Sequence, residues 1–423
     1  VRRALVLIAA IVLLGGCTTR ERTNPLDPRN TVTQGSLVGF NAIAADSVVE
    51  LRWPPLRVQG VLGYRVQRWR PGGVPQSLGA FDYSASATAA EDPEVRNDST
   101  YVYRLVAHLD TGDSVLSAPD TVTPGTRRIF ALAAGTPSFL RLTPDARDVL
   151  YELQTKESYV DMELERSTGV LWFAAETSGQ VVRRTPDGAI TGAVIETGAP
   201  GDLSVSSNRG LGWVVSITSG SVTSYGPNVD DASPHSIIGD VPDPRIVEAG
   251  TIDPSVWVGD EGGEVYRFQA QDLARTNVWS LGAGPIRAIA LDEARGGAWV
   301  ATRAPAGTLY HLDPTDSSAT VVRFPLLNAA DLAVDPATGD LWIAERGPAN
   351  MGAGRLSLIT RAGVTLATVG SIEPYGIDVD PVDGSCWVSD LHSNRILDIS
   401  RSGTILRASP PLAAPYAVRV DLP

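Results

Sequence analysis

The chain has 423 residues, 43% of them apolar and 20% charged, with 41 glycines and 30 prolines. That length exceeds one small core, and plentiful turn formers without long helical periodicity point to an all-β protein of two or more units. The formal net charge of −13 disfavours nucleic acid and flat anionic membrane as partners, because neither finds a basic stripe to replace its counterions.

The first segment reads "VRRALVLIAAIVLLGGC". Arg2 and Arg3 precede an apolar run from Ala4 to Leu14, which is too short to span a bilayer that needs about 20 helical residues. A cleaved secretory signal over 1–17 fits better. Leu14-Gly15-Gly16-Cys17 resembles the lipobox of bacterial lipoproteins. That resemblance implies acylation of Cys17, with Thr18 after it implying the outer membrane. The expected location is therefore the cell envelope, as an outer-membrane lipoprotein facing the periplasm or the surface. Residues 18–33, "TTRERTNPLDPRNTVT", lack apolar periodicity and read as a tether. The other cysteine, Cys386 beside Trp387, reads as a small buried hydrophobe.

From 34 to 124, short alternating stretches separated by turn clusters predict a β-sandwich. Val49, Leu51 and Trp53 fall on one strand face, and Tyr64 and Val66 on another. Leu51-x-Trp53-x-Pro55, Tyr64-x-Val66, and Thr100-Tyr101 with Ala107 six residues on resemble a fibronectin type III domain. The resemblance implies that Tyr101 makes a hydrogen-bonded corner and that Trp53 fills the core.

Beyond residue 126 the tryptophans set the rhythm. Trp172, Trp213, Trp257, Trp299, Trp342 and Trp387 are spaced by 41, 44, 42, 43 and 45 residues, the signature of a radial repeat of about four strands. "FLRLTPDA" (139–146) matches "VVRRTPDG" (181–188) at an offset of 42, which puts Phe130 where a seventh tryptophan belongs. That front segment lacks a first strand, and "APYAVRVDLP" (414–423) matches the first strand "EPYGIDVDP" (373–381). The expected fold of 126–423 is a seven-bladed β-propeller, closed by one C-terminal strand joining three N-terminal ones. The repeat resembles the NHL and streptogramin-lyase-like propellers, and less closely the quinoprotein repeats. Such propellers carry unrelated functions.

Two registers report on one mouth of the expected channel. Eleven residues before the tryptophans stand Asp161, Asp202 and Asp331, with Arg245, Arg287 and Tyr375 one position earlier. Three residues after them stand Asp260, Glu345 and Asp390. These nine are the candidate ligand-binding rim, and turn capping or pairing with arginine within the repeats is the structural alternative.

The Asp-Pro-x-x-Gly turns at Asp335 and Asp380, with looser copies at Asp292 and Asp253, read as turn chemistry. They lack the alternating oxygen ligands of a calcium loop. Streptogramin-lyase-like catalysis implies a histidine pair, and of His108, His235, His311 and His392 only His392 falls near the rim. The loop 346–355, with Met351, is the longest departure from the repeat and reads as a recognition loop or a neutral insertion.

No catalytic residue, metal or cofactor is assigned. The leading expectation is a non-enzymatic, lipid-anchored envelope protein that binds a protein, peptide or glycan. The alternative is a metal-dependent lactonase- or lyase-type hydrolase using rim carboxylates.

Overall fold

A computed structural model describes residues 35–422 apart from 57–59, 283, 304–306, 316 and 348–351. The lipobox with Cys17, the tether and Met351 lie outside the described residues. The chain divides into two compact units between Gly125 and Thr126, and every regular element described is a strand.

In the smaller unit, alternation does the work. Val49 and Leu51 are fully buried while Glu50 and Arg52 face outward, as a half-buried strand requires. One sheet orders Asn41–Ala45, Val48–Arg52 and Ala89–Asp92 side by side. The other orders Gln76–Ser84, Val61–Trp69, Tyr101–Leu109 and Ser114–Leu116, with Asp120–Val122 also on Tyr101–Leu109. Buried Trp53 packs against Tyr64 at 5.6 Å between ring centroids.

The Tyr101 hydroxyl accepts a hydrogen bond from the Arg96 backbone N–H at 3.0 Å. A second polar knot holds the buried carboxylate of Asp92, which accepts from the Tyr103 hydroxyl and from Arg68, both at 2.7 Å. Loss of the Tyr101 bond leaves a backbone donor unpaired, so Tyr101→Phe is expected to destabilise this unit by about 1 kcal/mol. A lower urea midpoint for its transition is the readout.

Among the described residues, the larger unit holds seven four-stranded antiparallel sheets. Six are built from consecutive strands, and their first, innermost strands are Asp161–Glu165, Pro200–Ser206, Pro244–Ala249, Ile286–Leu291, Ala329–Val334 and Pro374–Val379. The remaining sheet takes Arg128–Ala133, Ser138–Leu142 and Val149–Gln154 from the start of the unit. Its innermost strand is Pro415–Asp421, the last of the chain. There Val418 pairs with Ala131 and Arg419 with Phe130. That C-terminal strand lies beside both Pro374–Val379 and Asp161–Glu165.

All six repeat tryptophans are buried, as is Phe130. Their roles match in register: Trp172 pairs with Arg183, and Phe130 with Arg141. Each large ring fills the gap to an adjacent sheet. Trp342, for example, packs with Ile377, Val379 and Val388 of the next sheet. Cys386 joins that cluster fully buried, and burial pushes its thiol well above the ordinary range.

The Asp-Pro-x-x-Gly turns carry a second bond between sheets. Asp335 Oδ1 accepts from Ala337 N at 2.9 Å, while its other oxygen takes Arg401 of the following sheet. Asp380 Oδ1 accepts from Val382 N at 2.9 Å, and Arg127 reaches Oδ2 at 2.5 Å. The closing glycines Gly339 and Gly384 have φ of 76° and 69°, a conformation that favours glycine. Their aspartates are thus saturated by backbone and arginine donors.

Candidate functional site

The innermost strands explain the site. In six of the seven the pairing slips near the start, a β-bulge that leaves an extra residue out of register: Gly201, Arg245, Arg287, Ala330, Tyr375 with Gly376, and Tyr416. A bulge re-aims its side chain. Here all of these residues line one cavity of about 490 Å³. The framework repeats, but the bulge residue changes from sheet to sheet between glycine, alanine, arginine and tyrosine.

Three aspartates at the same level of the inner strands have a different task. Asp161 Oδ2 accepts from Leu203 N of the next inner strand at 3.1 Å, and Asp202 Oδ2 does the same with Val247 N at 2.8 Å. Asp331 repeats the bond with Ile377 N at 2.9 Å. Further down, Asp378 Oδ2 accepts from Val420 N at 2.8 Å, which ties the penultimate inner strand to the last. Asp161 and Asp331 also accept the N–H of the following residue, both at 2.8 Å. These carboxylates are clips between sheets, and Asp161, Asp202 and Asp331 line the cavity only with what remains.

Six of the nine rim residues therefore share the cavity: Asp161, Asp202, Arg245, Arg287, Asp331 and Tyr375. The other three do not line it. Asp260, Glu345 and Asp390 are buried within their own sheets. Asp260 accepts from Glu264 N at 2.7 Å, and Glu345 takes Arg355 at 2.7 Å and Leu327 N at 2.8 Å. Asp390 accepts from Glu373 N at 2.7 Å and His392 N at 3.1 Å. Each stands at the end of a second strand, where backbone or arginine donors of neighbouring segments take up the carboxylate.

Sequence reading missed the layer below the mouth. Deeper on the inner strands, Glu163, Glu248, Asp378 and Arg419 pair in register with Trp172, Trp257, Trp387 and Phe130. Arg419 Nε donates to Glu163 at 3.0 Å, and its Nη2 lies 3.8 Å from Asp161. Arg166 reaches Asp378 at 3.0 Å. A second cavity of about 470 Å³ opens on the far side, and Glu163, Glu248, Ile289, Asp331 and Arg419 touch both. This layer is a polar constriction between two openings. The signal for it was present in "YAVRVDL", where an arginine stands between buried Val418 and Val420.

Burial dominates the electrostatics here. It raises Asp161 and Glu163 and lifts Asp202 and Glu248 well above the ordinary carboxylate range. Asp331 is pushed up to about 6. Arg419 opposes the shift for Asp161, Glu163, Glu248 and Asp331. Burial also works against its own charge, but Glu163, Asp161 and Asp378 outweigh that and raise it well above the usual value.

Raised acids bind protons more tightly in the folded state. Their stabilising contribution is therefore full below the unfolded value near 4 and is lost as pH rises through about 6 for Asp331. Thermal midpoints of the larger unit are expected to be higher at pH 5 than at pH 8. Asp331→Asn is expected to flatten part of that slope.

No family model matches the chain, and no curated protein matches it by sequence. Solved structures do resemble it. A functionally unknown protein from Desulfotomaculum acetoxidans has a TM-score of 0.54 at 12% identity, over 70% of this chain and 99% of that one. Apo AztD from Citrobacter koseri has a TM-score of 0.52 at 15% identity, over 70% and 97%. The larger unit has a β-propeller-like fold. Hydrazine synthase from Kuenenia stuttgartiensis, at a TM-score of 0.50 and 11% identity over 57% of this chain and 76% of that one, shares it. At such identities the likeness concerns fold alone, so the propeller's chemistry has to be read from its own mouth.

Proposed function

We propose that this chain is a lipid-anchored envelope protein whose seven sheets are the blades of a closed propeller that binds a protein, peptide or glycan without catalysis. The smaller unit is a fibronectin type III-like spacer, and acylated Cys17 holds the whole on the outer membrane. One observation carries the binding reading: the repeated residues of the inner strands serve the scaffold, whereas the bulge residues facing the cavity differ from blade to blade. A surface built that way presents a distinct set of groups on a rigid ring, as a recognition site requires. The rival hydrolase needs carboxylates free to hold a metal, and Asp161, Asp202 and Asp331 each accept a backbone N–H from the neighbouring strand.

A photo-crosslinking residue at Tyr375, introduced into the full-length protein in its native envelope, tests the reading. A discrete adduct from Tyr375 and none from Val321, an exposed outer-strand position, is the expected result. Adducts from Val321 alone would overturn it. Metal analysis of the purified protein addresses the rival, since a stoichiometric divalent ion lost in Asp202→Asn would favour the hydrolase.

A further inference from the structure

The mouth is electrically lopsided. Arg245, Arg287 and Arg303 lie on adjacent sheets on one arc of the cavity, Asp161, Asp202 and Asp331 lie on the sheets to either side, and Glu248, Glu261 and Arg419 also line it. Arg245 is engaged, with Asp243 at 3.0 Å and Glu261 at 3.2 Å. Arg287 and Arg303 make no side-chain hydrogen bond or ion pair among the described residues. The fold places them together: Arg287 occupies the bulge of Ile286–Leu291, and Arg303 donates its backbone N–H to Pro285 O at 2.8 Å, two residues from Arg287. Two guanidinium groups without an acid partner, facing one cavity, form a site for a carboxylate.

Three further observations narrow the ligand. First, the acidic arc opposes a second negative charge, so the ligand carries one carboxylate and no cluster. Second, Ile217, 37% exposed, and half-buried Ile246 line the same cavity, which gives an apolar side chain a place next to the carboxylate. Third, Tyr375 is not a free stacking platform for a sugar ring. Arg346 sits 4.7 Å from its centroid, and Tyr416 meets it at 85°.

Resting on the binding function proposed above, we infer that the mouth takes the C-terminal end of a peptide chain, with Arg287 and Arg303 holding the terminal carboxylate. The last side chain lies against Ile217 and Ile246. A cation farther back meets Asp161, Asp202 or Asp331. The cavity of about 490 Å³ suits a chain end rather than a folded surface.

The test uses the full-length protein immobilised in detergent and an equal mixture of random hexapeptides ending as free acids or as amides, told apart by mass. The acids are expected to be enriched at least tenfold over the amides, and 0.5 M salt should lower that ratio. In the double variant Arg287→Gln, Arg303→Gln the ratio should fall to near one with the thermal midpoint unchanged.

A ratio near one in the parent protein, an unchanged ratio in the double variant, or displacement of the acids by an oligogalacturonate would overturn the inference. If that happens while the Tyr375 crosslink persists, the mouth binds something other than a peptide terminus. Loss of both results would remove the binding function itself.

Discussion

Removal of residues 414–423 is expected to abolish the cooperative unfolding transition of the 126–423 unit while leaving that of the smaller unit in place. The deleted segment supplies an entire inner strand, with Val418 and Val420 fully buried. Burial of each valine is worth about 1.5–3 kcal/mol. The deletion also strips the ladder from Arg128–Ala133, leaving an exposed strand edge inside the protein. In addition it removes Arg419 from Glu163 and Asp161, and Val420 N from Asp378. Together these losses are comparable to the about 5–15 kcal/mol that holds a domain folded. Calorimetry would show a single remaining transition. A peptide spanning 413–423 added in trans is expected to restore part of the second, because main-chain pairing to an open edge is the essence of strand addition.

Arg419→Met should rank as the most damaging single substitution in the channel. Methionine keeps much of the volume but leaves Glu163 and Asp161 facing each other without a cation, and breaking a buried pair in this way costs about 3–5 kcal/mol. The cost carries a pH signature. Because burial already raises Glu163 and Asp161, the variant is relieved as the pH falls and carries the full penalty at pH 8. Adding Glu163→Gln should recover part of the loss at pH 8 and little at pH 5. Urea midpoints at the two pH values measure both effects. A loss that is the same at both would mean that Arg419 acts through packing alone.

The parts of this molecule that were legible in the sequence are those fixed by repetition. Six tryptophans at nearly even spacing exposed the period, and an offset of 42 residues located Phe130 and, through it, the missing inner strand. Arg245, Arg287 and Tyr375 came from the same register, and the inner-strand bulges do turn them toward the cavity. What repetition hides is how a carboxylate spends its lone pairs. Asp202 and Asp260 look equivalent in sequence as acids near a tryptophan. One clips two sheets together at the cavity wall, while the other folds into a turn and never reaches it, and only backbone donor positions separate the two outcomes. Arg419 escaped because no other repeat carries an arginine at its position, and Arg303, like Arg346 four residues after its tryptophan, escaped because it lies one residue beyond the register that was read.

Hydrogen exchange of the intact protein, read by proteolysis and mass spectrometry, tests the ring closure most directly. Peptides covering 415–421 are expected to be as protected as those covering 128–133, opening only with global unfolding of the larger unit. Rapid exchange of 415–421 beside slow exchange of 128–133 would contradict the closure and, with it, the arrangement of the mouth.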